Sequence, residues 1–443
     1  MLDIGILHSF RMDRKVDHSK ETVWKEKQLV ETPIAWAVSP GELKNYCSYC
    51  LKPKADESSL LSCRHCKLIY YCNANCASQD WKSHCSECAF CKGSRQSGSE
   101  CDRLIIRLLQ PDKLRSEGQC NERTIDELED HSELMNDEFA EWFPGFCTFT
   151  SDRYMEQRDI VYKLFCKTSI NCFGLTSEFG RTIGIALCIR LSLLDHSCKP
   201  NARIAFRGVQ CRMIRNGTAN NQSNFHVMSI HHSYIDELQP IQARREILKK
   251  KYKFDCKCDG CTDTERNRDM IANSCEYCNG AVLDSGCCSV CKRSMSPEHI
   301  STCKLAVELC TASAKALNER KMTDEQRLTI CAKTLEVADG ALYEFNVTLL
   351  PLYRGAYESC INLHRWSEAV NYGRAILNIQ SHYQSQDDLA IIHSKFNLAK
   401  VFLNAGDKYE SRQLVLEIKN KISEIYGKES SIYEECDQYC SSF

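Results

Sequence analysis

The sequence predicts an α+β protein: short strands and metal-binding loops in the first two thirds, then an all-helical C-terminal region. Three observations carry this. Many cysteines fall in Cys-x2-Cys pairs, the spacing with which one tight turn offers two thiolates to one ion. Between residues 170 and 234 the apolar runs are short and bounded by Gly, Asn and Ser, which suits strands and turns. From residue 300 onward apolar residues recur at i, i+3 and i+4, the period of an amphipathic helix.

A chain of 443 residues has room for several domains with real cores, and 43% apolar content is ordinary for a globular protein. A net charge of -2 disfavours nucleic acid as the main partner. No run of eighteen apolar residues exists, so no membrane span is expected. The opening MLDIGILHSFRMDRK lacks the apolar core and small-residue cleavage site of a secretory leader. Thirty-one cysteines, an odd number in a long chain, then point to reduced thiols and metal rather than disulfides. The sequons at Asn216, Asn221 and Asn346 are coincidental in that setting.

Along the chain, residues 1–46 are polar, with an extended stretch from Lys27 to Val38 interrupted by Pro33. After a first cysteine cluster at 47–88, helices are expected over LIIRLL (104–109), Ile125–Phe143 and Asp159–Phe165. Strands are expected in IGIALCI (183–189), Arg203–Ile214 and His226–Ile235, with a polar loop at Asn216–Asn224. A second cysteine cluster spans 256–291. Beyond it, Ala356–Leu377 and Ile391–Ile418 each read as helix, turn, helix, with Ala356 and Ala399 at close-packing points. Tetratricopeptide-type hairpins and a plain helical bundle both satisfy this pattern.

The first cluster runs Cys47-x2-Cys50-x12-Cys63-x2-Cys66-x5-Cys72-x3-Cys76-x7-His84-x3-Cys88, eight ligands for two tetrahedral zincs. So short a segment buries little, and metal must supply much of its folding free energy, about 10 kcal/mol or more per structural ion. The pattern resembles a MYND zinc finger; a RING domain, the nearest rival, has longer later spacings and a Cys-x-His step that is missing here. The resemblance implies interleaved pairing: Cys47, Cys50, Cys72 and Cys76 on one ion, Cys63, Cys66, His84 and Cys88 on the other. Tyr71 and Trp81 fit its aromatic positions. It implies structural zincs and recruitment of proline-containing peptides.

Three further stretches follow in order: LSLLDHSCKPN (191–201), SYIDEL (233–238) and YKFDCKCDGC (252–261). With the finger before them they resemble the SET-and-MYND family of protein lysine methyltransferases, over essentially the whole chain. The implied fold is a SET-domain β-fold split by the finger and followed by a helical, TPR-like domain. The implied divisions are an N-terminal SET part (1–46), the finger (47–88), a helical insertion (89–169), the SET core (170–250), a post-SET zinc segment (251–262), a cysteine-rich insertion (263–299) and the helical domain (300–443). The implied cofactors are S-adenosylmethionine and zinc. Asp195 and His196, Asn171, Phe254 and, in a helix, His131 match cofactor contacts. Tyr234 matches the catalytic tyrosine and also lies at the cofactor. Cys198 would join Cys256, Cys258 and Cys261 on a third zinc. The substrate would be a lysine side chain of a histone or other protein, a chaperone or other peptide would bind the helical domain, and the protein would act in cytoplasm and nucleus.

Three departures stand out. Family members begin with a Gly-x-Gly-Leu segment, for which only Gly5-Ile6 offers a remnant; Asp195 replaces an Asn; and NNQSNFHVMSIHHSY lacks the Gly-Glu pair usual before the tyrosine. They support an alternative reading, an inactive or weakly active member serving as a zinc-dependent adaptor or transcriptional regulator. Finally, Cys275-x2-Cys278-x9-Cys288-x2-Cys291 has zinc-ribbon spacing, open to a fourth zinc or to a cysteine-rich loop without metal.

Overall fold

The computed structural model describes residues 23–24, 29–54, 59–110, 124–216, 225–226 and 229–441. Gly5-Ile6 and most of the Asn216–Asn224 loop lie outside them. The described residues form a mixed α/β core with small sheets, followed by a C-terminal helical bundle.

Strands β1 (Val23–Trp24), β2 (Val30–Glu31) and β3 (Ala35–Val38) open the chain, and β4 (Leu61–Ser62) and β5 (Tyr70–Tyr71) form the finger's ribbon. Helices α1 (Ala74–Ser94), α2 (Glu100–Leu108), α3 (Asn136–Thr150) and α4 (Arg158–Asn171) follow. The middle of the chain supplies β6 (Cys172–Thr176), β7 (Thr182–Leu187), β8 (Asp195–His196), β9 (Ala202–Arg207), β10 (Gln210–Arg215), β11 (Phe225–His226) and β12 (His231–His232). Two three-stranded antiparallel sheets, β3-β7-β6 and β2-β10-β9, flank the parallel pair β8 and β12.

Next come α5 (Ile241–Tyr252), α6 (Asp259–Thr262) and α7 (Thr264–Asp269). The bundle is α8 (Pro297–Glu319), α9 (Asp324–Ala338), α10 (Leu350–Asn362), α11 (Trp366–Tyr383), α12 (Leu389–Asn404), α13 (Lys408–Tyr426) and α14 (Ser431–Ser441), each packed on the next. Both hairpins expected from periodicity are present, and Ala356 and Ala399 are fully buried where helices meet.

Apolar burial joins these parts. Finger residues Cys47, Ile69 and Tyr71 share one core with Leu104, Ile105, Phe139, Ile183 and Leu187. The last helices close on β9, where Ala205 packs with Phe396, Ile418 and Tyr426. No described helix is long and apolar enough to cross a membrane.

Two expectations are corrected. Ile125–Phe143 is not one helix: short 3-10 turns occupy Ile125–Glu127 and Ser132–Leu134, and α3 starts only at Asn136. The Asp130 carboxylate takes the Ser132 N–H at 3.0 Å, a local bond that competes with the helical ladder. His226–Ile235 is not one strand either; it pairs at His226 and again at His231–His232, and Tyr234 follows β12 outside any strand.

Candidate active site and metal centres

The donor atoms gather in the sets that the family resemblance implies. Cys47, Cys50, Cys72 and Cys76 form one set, Cys63, Cys66, His84 and Cys88 a second, and Cys198, Cys256, Cys258 and Cys261 a third; in each the donors lie within 4.8 Å of one another. A fourth set joins Cys275, Cys278, Cys288 and Cys291. A tetrahedral site with Zn–S bonds of about 2.3 Å has S···S edges of roughly 3.8 Å. The Cys50–Cys72, Cys63–Cys88 and Cys198–Cys261 pairs, at 3.6, 3.8 and 3.6 Å, fit that edge. Thiolate-rich tetrahedral sets of this kind suit zinc.

The second set is oriented from outside. His84 Nδ1 bonds to Glu87 Oε1 at 2.9 Å, which leaves Nε2 for the ion, 3.6 Å from Cys66 Sγ. Glu87 is held by Arg107 of α2, whose Nε and Nη2 donate to its two oxygens at 2.9 and 2.8 Å. Arg107 also donates to Asp80 and to the Trp36 carbonyl, and Tyr71 donates its hydroxyl proton to Asp80 at 2.8 Å. Arg107, Asp80 and Glu87 are all nearly inaccessible to solvent. This network locks the finger to the core. Of the two aromatic positions of the finger, Tyr71 is thus internal and Trp81 is 42% exposed.

The third set ties the segment after α5 to the Cys198 loop. The Cys198 N–H donates to Cys258 Sγ at 3.1 Å. Gly260 permits this approach, because a Cβ there would lie 2.7 Å from the Cys198 carbonyl carbon. His196 connects the set to the tyrosine: its Nε2 lies 3.2 Å from Cys198 Sγ, and its Nδ1 accepts the Tyr234 N–H at 3.0 Å.

All six residues matched to cofactor contacts or catalysis line one cavity of about 800 Å³: His131, Asn171, Asp195, His196, Tyr234 and Phe254. The Tyr234 hydroxyl donates to the Leu194 carbonyl at 2.6 Å. Asn171 Nδ2 donates to the Glu129 carbonyl at 2.7 Å and so holds the 129–131 loop beside the cavity. His131 reaches it from that loop with φ 44, not from the helix expected of it. Burial, the largest cause, lowers His196 to about 4 and His232 to about 3, so both imidazoles are neutral at pH 7. Arg203, also on the wall, is tied to Glu237 and Asp388.

Sequence reasoning passed over two wall residues. Tyr252 donates its hydroxyl to the Tyr234 carbonyl at 3.2 Å and packs its ring 4.9 Å from the Tyr234 ring. Its signal was at hand: it stands two residues before Phe254 in YKFDCKC. Phe173, packed 5.4 Å from the His232 ring, also stood in a recognised stretch, two residues after Asn171 in INCFG. A second, polar cavity of about 740 Å³ adjoins the first and shares Asp195, His196, Arg203 and Phe254 with it; Tyr383–Asp388 of the helical bundle form its far side.

Comparison with known proteins agrees with this geometry. Residues 47–88 match the MYND finger family. SET domain-containing protein 14 of Caenorhabditis elegans is 31% identical over 91% of this chain and 95% of its own. N-lysine methyltransferase SMYD2 of Homo sapiens is 22% identical over 92% and 91%, and N-lysine methyltransferase SMYD2-A of Danio rerio 26% over 85% and 81%. With that breadth of similarity, and with the finger's ligands paired as its motif requires, the chain belongs to the SET-and-MYND family of SET-domain-like methyltransferases with an embedded MYND zinc finger.

Proposed function

We propose that the chain is an S-adenosylmethionine-dependent protein-lysine N-methyltransferase acting on histone or other proteins. The observation that supports this most is the convergence of six residues, from five separate stretches of sequence, on one cavity. The cofactor is cationic at its ammonium and sulfonium groups. The wall suits it: Asp195 is a carboxylate, the two buried imidazoles are neutral, and Arg203 is neutralised by two acids. When bound, S-adenosylmethionine would supply the methyl group and the thioether leaving group.

The protein's own residues supply position and desolvation. His131, Asn171, Asp195 and Phe254 would hold the cofactor. The attacking lysine must be neutral, and the apolar wall of Ile170, Phe173, Leu194 and Ile204 favours loss of its proton. The Tyr234 O–H stays a phenol whose hydrogen points at the Leu194 carbonyl, and its oxygen can accept a polarised C–H group. The adjoining polar cavity is the natural seat for the peptide that carries the lysine. The exposed Trp81 supports a role for the finger in binding proline-containing peptides.

Asp195 favours a second reading, an adaptor with little activity, because a carboxylate lacks the amide donor of the family's Asn. Titration calorimetry of S-adenosylmethionine into the zinc-replete chain, with transfer of labelled methyl to protein substrates, separates the two. We expect binding and transfer, and we expect Tyr234→Phe to cut turnover by about tenfold or more with cofactor affinity little changed. A zinc-replete chain that binds no cofactor would leave the adaptor reading. Equal losses of binding and turnover in Tyr234→Phe would make Tyr234 a packing residue.

A further inference from the structure

The two Cys-x2-Cys turns of the finger share a backbone signature. The residue after the second cysteine, Leu51 or Lys67, is left-handed, with φ of 63 and 64. Its N–H returns to the carbonyl of the first cysteine, at 3.0 Å in both turns. Non-glycine residues adopt that conformation at a cost, and here it turns both sulfurs toward one point.

Residues 275–291 repeat this signature twice. Asn279 and Lys292 follow the second cysteine of each pair with φ of 60 and 62. Their N–H groups return to Cys275 and Cys288 at 2.9 and 3.1 Å. Within the turns, the Tyr277 and Val290 N–H groups point at Cys275 Sγ and Cys288 Sγ, 3.4 and 3.3 Å away, bonds that stabilise thiolate. The two turns face each other with Cys275–Cys291 at 3.6 Å and Cys278–Cys288 at 3.5 Å. These are edges of a thiolate tetrahedron and are far longer than a disulfide of about 2.05 Å. Only Cys275, Cys288 and Met295, with Val282 and Cys291 beside them, make up the local apolar core. So small a core does not hold two strained turns together by itself.

We propose that Cys275, Cys278, Cys288 and Cys291 bind a fourth zinc ion, which folds residues 272–295 into a ribbon that clamps the start of the helical bundle. The clamp is visible in the bonds at the ribbon's base. The Ser274 N–H donates to the Ala341 carbonyl at 2.9 Å, and the Tyr343 N–H to the Ala272 carbonyl at 3.1 Å. Glu276, inside the first turn, accepts the Ser296 N–H at 2.7 Å, and Ser296 caps α8 through the His299 N–H. The ion fixes Glu276, Glu276 fixes the cap, and the cap sets where α8 begins. Cys278 is exposed, as Cys72 of the finger is, so a chelator can reach this ion directly.

The test uses the full chain purified with zinc. Elemental analysis should give four zincs per chain, and three in fully loaded, folded protein would overturn the proposal. Alkylation mapped by mass spectrometry gives a second reading. Cys85 is an exposed thiol outside every donor set and serves as the free-thiol reference. Cys278 should label much more slowly than Cys85 in the zinc-loaded protein and catch up after mild chelation; equal rates before chelation would overturn the proposal. Cys291→Ser should lower the content from four zincs to three, and an unchanged content of four would count against it. Should that variant not fold, stoichiometry and alkylation of the native chain decide.

Discussion

The finger's turns at Cys47 and Cys63 and the ribbon's turns at Cys275 and Cys288 have the same backbone geometry, yet the two modules are fastened to the molecule differently. The finger is wedged into the main core, and a buried arginine reaches from α2 into the outer shell of one of its metal sites. The ribbon is stitched to the bundle by backbone hydrogen bonds and one capping contact. A local turn thus specifies how metal is gripped, while the surroundings decide whether the grip is coupled to the rest of the fold.

The largest effect is expected where that coupling is buried charge. Arg107→Ala leaves Asp80 and Glu87 without their cation, and breaking such a pair costs about 3–5 kcal/mol. Thermal unfolding should fall accordingly, and the Cys63, Cys66, His84, Cys88 site should lose zinc more readily, because Glu87 no longer steers His84. Unchanged zinc retention would show that the finger is independent of the core after all.

Arg203 makes the corresponding link between the SET portion and the bundle. It pairs with Glu237, three residues past Tyr234, and with Asp388, the residue that caps α12. Burial acts to raise the Glu237 pKa, and Arg203 outweighs it, so the carboxyl lies below its ordinary range. Arg203→Ala should cost about 3 kcal/mol, measured by denaturant unfolding. It should also lower turnover, because the Tyr234 segment loses its anchor. Loss of stability with full activity would confine Arg203 to holding the bundle.

Effects in the ribbon should be smaller and local. A Cβ on Gly280 would press on Val290 Cγ2 at 2.8 Å and Cys288 Sγ at 3.1 Å. Gly280→Ala should therefore weaken the fourth site by about 1–3 kcal/mol in a chelator competition and leave the finger's zincs in place. Ser296→Ala removes the α8 cap, worth about 1 kcal/mol, together with the Ser296 Oγ bond to Glu276 at 3.0 Å, and the loss should be visible as fraying of that helix by hydrogen exchange.

The metal-binding turns were legible from Cys-x2-Cys spacing, because each turn is local; which turns share an ion came from the family resemblance, since Cys50 and Cys72 stand 22 residues apart and Cys198 and Cys261 63. The helical hairpins were legible from their period and from Ala356 and Ala399. His131 and the split of Ile125–Phe143 were not, since the chain already turns extended at Leu128 and Asp130 bonds locally to the Ser132 N–H before a regular helix starts at Asn136. The strand pairing of His226–Ile235 was also hidden, because its alternation does not say which partner strands exist.

The amino-acid order therefore set the metal turns and the helices, which depend on contacts within a few residues, and its ordered motifs set the family. Tertiary structure alone decided the rest: that His196 would join a zinc ligand to Tyr234, that Arg107 would steer His84 from another element, and that the Tyr252 hydroxyl would reach the Tyr234 carbonyl. Those contacts lie between distant segments, and their geometry exists only once the apolar cores have brought the segments together.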